Sequence, residues 1–231
     1  MMCVDTMKIV YYNAYAPFSF EENGIMKGIL VDVLDEALNK RMKLIILHEG
    51  YPWARAQEKV KSGNADAFVT IPTPERLTYT NASKQAVISA PVYLFTRAGS
   101  PKLNDLKKVE SIPDLHEFLI GVYIGHGWAK QKLEPAGINL SWAPNIENLF
   151  TMVVNDRIDA TIDIEPVMLY MIKKLGYSGK IIAVPVKLDH SSWHLCIAKT
   201  SSFIDILPKF DKVITDMHYD GSLDAIYKKY R

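Results

Sequence analysis

The sequence predicts an α/β protein of two lobes, each a mainly parallel sheet flanked by helices, with two strands joining one lobe to the other. Three observations carry this. Short β-rich runs alternate with helical patterns twice over, from Met7 to Ile71 and again from Phe118 to Val186, which is the pattern of βαβ units. Between the two series lies Gly99–Glu117, GSPKLNDLKKVESIPDLHE, whose Pro, Gly and Lys content suits an interdomain crossover. Two further apolar extended runs, Ala90–Gly99 and His190–Lys199, stand where the chain would leave the first lobe and return to it. The expected division is 1–96 with 197–231 for lobe 1, and 97–196 for lobe 2.

In chain order, MKIVYY (7–12) reads as a strand, and residues 13–28, with Pro17, Gly24 and Gly28, as a long βα loop. Ile29, Val33, Leu34 and Ala37 recur at helical spacing, KLIILHEG is a second strand, and WARAQEKVKSGN is a helix stopped by Gly63 and Asn64. ADAFVTI is a third strand. The polar stretch 73–89 opens as a helix: Thr73 can cap it, Pro74 suits the first helical position, and Glu75 favours the positive helix end. In the second series FLIGVYIG, NLSWAP and IDATIDI are strands. WAKQKLEPAG, NIENLFTMVVNDR with Asn145 as cap, and EPVMLYMIKKLG are the helices between and after them. KIIAVPV and HSSWHLCIAK follow as two strands, and two helical segments close the chain.

Composition limits the function. The 231 residues are 48% hydrophobic and 23% charged, with net charge +1. That excludes a disordered chain and a polyanion-binding surface, so no nucleic-acid partner is expected. Two cysteines, Cys3 and Cys196, exclude a disulfide framework. The N-terminus MMCVDTMKIV has neither the apolar core nor the cleavage site of a signal peptide, and no stretch approaches ~20 apolar residues. A cytosolic protein and an exported one whose signal or anchor lies outside this sequence both remain open, with Cys3 an incidental tail cysteine or the remnant of a lipid-attachment site. His190 and His194 would share a face only on a helix, and SSWHLCIA reads as extended, so no metal site and no cofactor are expected. No Walker loop, dinucleotide fingerprint or nucleophile elbow occurs.

The stretch from Trp53 to Arg76 is the most informative. It holds a helix, a Gly turn, a short buried strand and a loop that opens a second helix with one arginine. Ligands of open α/β sheets bind at the carboxyl ends of the strands, and Arg76 stands at such an end.

The pieces YAPFSF, GILVDVLDEAL, W-x-R-A with GNADA, TPER, GVYIGHGW, NDRIDATIDIEPV and DGSLDAIYKKY, in this order, make the chain resemble the bacterial extracellular solute-binding proteins of family 3. These are periplasmic polar amino acid binders with a Venus-flytrap, or type II periplasmic binding, fold. The resemblance covers nearly the whole chain. It implies that Tyr15 and Trp53 are facing aromatics around the ligand, that Tyr12 reads its side chain and that Thr70 offers a hydroxyl. Arg76 would bind its α-carboxylate through a planar fork of donors. From the second lobe it implies the turn Gly125, His126, Gly127 and Trp128 as the other half of the clamp, its backbone N–H groups facing the carboxylate. The acidic ligand of the ammonium group falls on Ile164, between Asp163 and Glu165, either of which is a substitute. The hydroxyl expected five residues before the arginine falls on Ile71. Arg55 is open to the cleft or to solvent, and Asp32 is structural.

The function that follows is extracytoplasmic capture of a small polar, carboxylate-bearing ligand, an amino acid or a relative, in the interlobe cleft. A monomer would deliver it to an ABC transporter permease from a periplasmic or extracellular, and if Cys3 is acylated lipid-anchored, position. The alternatives are a sensing domain of a membrane receptor kinase or cyclase, and an enzyme resembling cyclohexadienyl dehydratases. For the last, His126, Asp163 and Glu165 form no recognisable catalytic constellation, so no enzyme and no catalytic residue are expected.

Overall fold

The computed structural model describes residues 5–124 and 126–230. Cys3 and Gly125 lie outside the described residues. The chain forms two compact units, one running to Ser89 and resuming at Ser192, the other Ala90–Ser191. The first starts with β1 (Thr6–Tyr12), β2 (Ala14–Tyr15), β3 (Ser19–Glu22) and β4 (Ile25–Lys27). Helix α1 (Ile29–Leu34) runs on as π-helical turns over Asp35–Arg41, before β5 (Ile45–Tyr51), α2 (Trp53–Lys61), β6 (Ala67–Thr70) and α3 (Pro74–Tyr79). Strand β7 (Thr80–Arg97) leads into the second unit, which holds α4 (Leu103–Leu106), a 3-10 turn at Ile112–Glu117, β8 (Ile120–Tyr123) and α5 (Gly127–Lys132). It continues with β9 (Leu140–Ala143), α6 (Ile146–Val154), β10 (Ala160–Ile164) and α7 (Glu165–Lys174). Strand β11 (Ile181–Ala198) returns to the first unit, followed by a 3-10 turn at Ile204–Ile206, α8 (Leu207–Tyr219) and α9 (Ser222–Lys228).

Each unit builds its sheet by the same rule. In the first, β1 lies between β5 and β6, parallel to both, and β6 pairs antiparallel with the end of β11, His194 against Thr70 and Ile197 against Ala67. In the second, β8 lies between β9 and β10, parallel to both, and β10 pairs antiparallel with the end of β7, Ile164 against Val92 and Thr161 against Phe95. The fourth strand of each sheet is thus the one arriving from the other unit. Strand β6, AFVT, is buried at every position, as expected of a strand covered on both faces. Helix α6 turns Leu149, Phe150 and Val153 into the second unit's core beside Phe95, Ile158 and Met168. Its start is fixed by Asn145, whose side-chain oxygen accepts from the Asn148 N–H at 2.9 Å. Gly121 in β8 lets this packing close, since a Cβ there would overlap the side chains of Ile158 and Leu149.

Two expectations are corrected. Residues 13–28 form a small antiparallel sheet, β2-β3-β4, rather than a loop. Asn23 and Gly24 both have positive φ, at 53° and 76°, as the two-residue connection between Glu22 and Ile25 requires. The polar stretch opens as helix α3, as expected, and runs on from Thr80 as strand. Two of its polar side chains are buried and bonded: Thr80 Oγ1 donates to the Arg76 carbonyl at 2.8 Å, and Ser83 Oγ accepts from the Leu195 N–H at 3.1 Å. KIIAVPV and HSSWHLCIAK belong to one strand, β11. The two compact units divide at 89/90 and 191/192. Both boundaries fall inside eighteen-residue strands whose composition shows no break.

The termini are tied together: Asp32 on α1 accepts from Lys229 Nζ at 2.7 Å and from the Tyr230 hydroxyl at 2.8 Å, the structural role expected of it. Cys196 is a free buried thiol, raised to about 12, chiefly by burial. No helix among the described residues is long and apolar enough to cross a membrane.

Candidate functional site

In the first unit the carboxyl ends of the three parallel strands carry Tyr12 on β1, Tyr51 on β5 opposite it, and Thr70 on β6. The residues that follow β5 and β6 begin α2 and α3. Trp53 is the first residue of α2 after Pro52, and Arg76 lies in the first turn of α3. That turn is set by Thr73, whose hydroxyl accepts from the Arg76 N–H at 3.4 Å, with Pro74 at the first helical position. Tyr12 and Tyr15 stack on each other, centroids 6.2 Å apart and rings 21° from parallel. Tyr15 also meets the edge of Phe18, which meets Trp193. Thr70 is buried at its strand end.

Arg76 is held by four things at once. Its Nε donates to Gln57 Oε1 at 3.0 Å and its Nη1 to the Ile71 carbonyl at 2.8 Å. The guanidinium lies 5.2 Å from the Trp53 ring centroid, and its backbone is in the capped turn. It makes no ion pair among the described residues. Asp66, a potential partner, instead accepts from the Lys8 N–H and Ser201 Oγ. Burial pulls the Arg76 pKa below its ordinary value, against opposing pulls from Tyr79, Cys196 and Glu75. A guanidinium still stays protonated across the physiological range. The result is a half-buried positive charge oriented by neutral oxygens and an aromatic face. Arg55 takes no part: it lies 5.1 Å from the Tyr51 ring, exposed.

Trp53, which the resemblance places facing the ligand, is partly buried. Arg76 lies over its ring, and Phe68 meets it at a centroid distance of 5.7 Å and 61°. These contacts engage part of its ring inside the unit. The Tyr12–Tyr15 stack is the aromatic pair at these strand ends.

In the second unit His126 is the N-cap of α5, and its Nδ1 accepts from the Ala129 N–H at 3.0 Å. That assigns the proton to Nε2 in the neutral ring, and Nε2 stands 3.4 Å from Asp163 Oδ1. The two side chains are 4% and 7% exposed. Burial disfavours the charged imidazole, but the Asp163 carboxylate outweighs it, and the His126 pKa is raised above its ordinary value. Asp163 Oδ1 also accepts from the Ile164 N–H at 2.7 Å, while Oδ2 is buried with no hydrogen bond among the described residues. Trp128 Nε1 donates to Asp189 Oδ2 at 2.7 Å, and Gly127 is exposed. Because the Ala129 N–H is taken by the cap, that donor of the α5 end is satisfied within the turn. The sequence-derived residues therefore form two groups, each within its own unit: Tyr12, Tyr15, Trp53, Thr70 and Arg76 at the strand ends of the first, and His126 with Asp163 beside Gly127 and Trp128 in the second.

Sequence reasoning missed Gln57 and the Ile71 carbonyl. Gln57 had a signal: it lies four residues after Trp53 in the helix, on the same face. The Ile71 carbonyl had none, because a backbone acceptor leaves no trace in residue identity.

Comparison with known proteins places this geometry in context. The family model of bacterial extracellular solute-binding proteins, family 3, matches residues 7–231. The "Probable amino-acid-binding protein YxeM" of Bacillus subtilis (strain 168) is 22% identical over 217 residues, covering 93% of this chain and 79% of that protein. Among solved structures, the open conformation of substrate-binding domain 2 of Lactococcus lactis GlnP superposes with a TM-score of 0.74 at 20% identity, covering 100% of this chain and 97% of that one. A histidine kinase sensor domain with similarity to periplasmic binding proteins gives 0.70 at 16% identity, over 97% and 95%.

Proposed function

Because the chain belongs to the bacterial extracellular solute-binding proteins, family 3, we propose that it captures a small polar ligand bearing a carboxylate, an amino acid or a related acid, and delivers it to an ABC importer. The work is binding rather than catalysis, outside the cytoplasm. The observation that carries the reading is the state of Arg76: a half-buried guanidinium at the carboxyl ends of parallel strands, held by an amide and a carbonyl oxygen, with no carboxylate paired to it among the described residues. Desolvating a charge without a counter-charge costs free energy. An anionic ligand supplies the missing partner, at about 1.5–3 kcal/mol per charge-assisted hydrogen bond. The stacked Tyr12 and Tyr15 are the apolar contact proposed beside it. YxeM, named a "Probable amino-acid-binding protein", supports the same class of ligand.

A thermal-shift screen of amino acids, small carboxylates and polyamines identifies the ligand class, since a ligand at a hundred times its Kd stabilises the native state by about 2.7 kcal/mol. Stabilisation by carboxylates is expected, and stabilisation by amines alone would refute the reading. With the hit in hand, Arg76→Ala should weaken binding at least about a hundredfold by calorimetry, or roughly 2.8 kcal/mol, with the fold retained. Unchanged affinity would remove Arg76 from the site.

The likeness to a histidine kinase sensor domain favours a second reading, ligand sensing for a membrane receptor. The reading frame around this chain separates the two. A transmembrane helix and kinase or cyclase domain in the same polypeptide would replace the importer with a receptor.

A further inference from the structure

We propose that Gln57 is a positioning residue for Arg76: by engaging the Nε–H it leaves the Nη1–Nη2 edge of the guanidinium as the one that receives a carboxylate. The inference rests on the reading of Arg76 as a carboxylate site. A guanidinium has two edges that can meet a carboxylate at two points, one pairing Nε with Nη2 and the other Nη1 with Nη2. Here Nε donates to Gln57 Oε1 at 3.0 Å, so the first edge is incomplete. Nη1 carries two hydrogens, of which the Ile71 carbonyl needs one. Nη2 makes no hydrogen bond among the described residues. Trp53 covers one face of the same group. Trp53 and Gln57 are one helical turn apart on α2, so a single helix face fixes both the plane and the rotation of the guanidinium.

The chemistry of the acceptor is part of the device. An amide oxygen orients a guanidinium without neutralising it. A carboxylate at the same place would pair with Arg76 and compete with the ligand's own carboxylate.

The test has two arms. In the free ¹⁵N-labelled protein the Nε–Hε of Arg76 should exchange with water more slowly than that of exposed Arg55. Gln57→Met, which keeps the length and removes the acceptor, should speed that exchange roughly three- to tenfold. In the second arm L-glutamine and L-arginine are titrated as probes by calorimetry into variants shown by thermal unfolding to be folded. Gln57→Glu should weaken binding at least about tenfold, and Gln57→Met should weaken it less. Equal Nε–Hε exchange in the wild type and Gln57→Met overturns the proposal, whether or not either probe binds. If Gln57→Glu binds a probe as the wild type does while Arg76→Ala does not, the proposal fails and the reading of Arg76 stands. If Arg76→Ala also binds unchanged, the reading of Arg76 fails and the edge assignment falls with it.

Discussion

A histidine that caps a helix with one ring nitrogen and faces a carboxylate with the other is a titrating element whose two forms favour different partners. Neutral His126 accepts the Ala129 N–H at Nδ1; protonation places a second hydrogen there and opposes that bond. The Asp163 carboxylate favours the charged form, and the net effect is a raised pKa. A group whose folded pKa is raised adds stability that is fully present below its unfolded value, about 6.5, and that is lost as the pH climbs through the folded value. Urea midpoints measured across that window should therefore fall with rising pH. In His126→Asn, which keeps a capping oxygen, the slope should flatten. In Asp163→Asn the His126 ring, followed by NMR, should titrate at lower pH than in the wild type. A midpoint that rises with pH in the wild type and not in His126→Asn would reverse the sign of the coupling. At this scale the sequence named candidate residues and was silent about their partners. His126 and Asp163 are 37 positions apart, and nothing in GHGW or ATIDI shows that the imidazole turns to the carboxylate.

For single elements, legibility followed the locality of the forces. The start of α3 was readable because Thr73, Pro74 and Glu75 act on the turn they occupy. Its end was not, because Tyr79 gives way to strand through buried hydrogen bonds made by Thr80 and by Ser83, the latter to Leu195, far along the chain. The hairpin of β3 and β4 had a local signal, Asn23-Gly24, but its strands are too short for an alternating pattern to emerge. Since α3 has only six residues, its cap matters to the arginine it carries. Thr73→Ala should lower stability by about 0.5–2 kcal/mol in urea denaturation and weaken ligand binding as the turn holding Arg76 frays. A stability loss with full affinity would show that Gln57, Ile71 and Trp53 suffice to hold the guanidinium.

The whole chain has an asymmetry that two lobes of similar design conceal. Ala90–Ser191 is one continuous segment, whereas the other unit is assembled from both ends of the chain. Residues 90–191 made alone contain every strand of the β9-β8-β10-β7 sheet that pairs there, and should give a dispersed NMR spectrum and cooperative unfolding. A collapsed spectrum would contradict the division into independent cores. The chain ending at Ser191 should lack a folded first unit, since β6 loses its antiparallel neighbour and α1 its contact with Lys229 and Tyr230. The repeated alternation of strands and helices made the two-unit plan legible; the exact changeovers, inside unbroken strands, were not. The pairing of β6 with the end of β11 also sets a timetable for biosynthesis. As the polypeptide leaves the ribosome from its N-terminus, Ala67–Thr70 emerge early, while Leu195 and Ile197 come only after the entire second unit has been made. During that interval β6 is an open edge able to recruit a stray strand, so translation interrupted at or before Ser191 yields a half-finished molecule prone to aggregate, and any holding factor that guards the nascent chain has its task defined by those four residues.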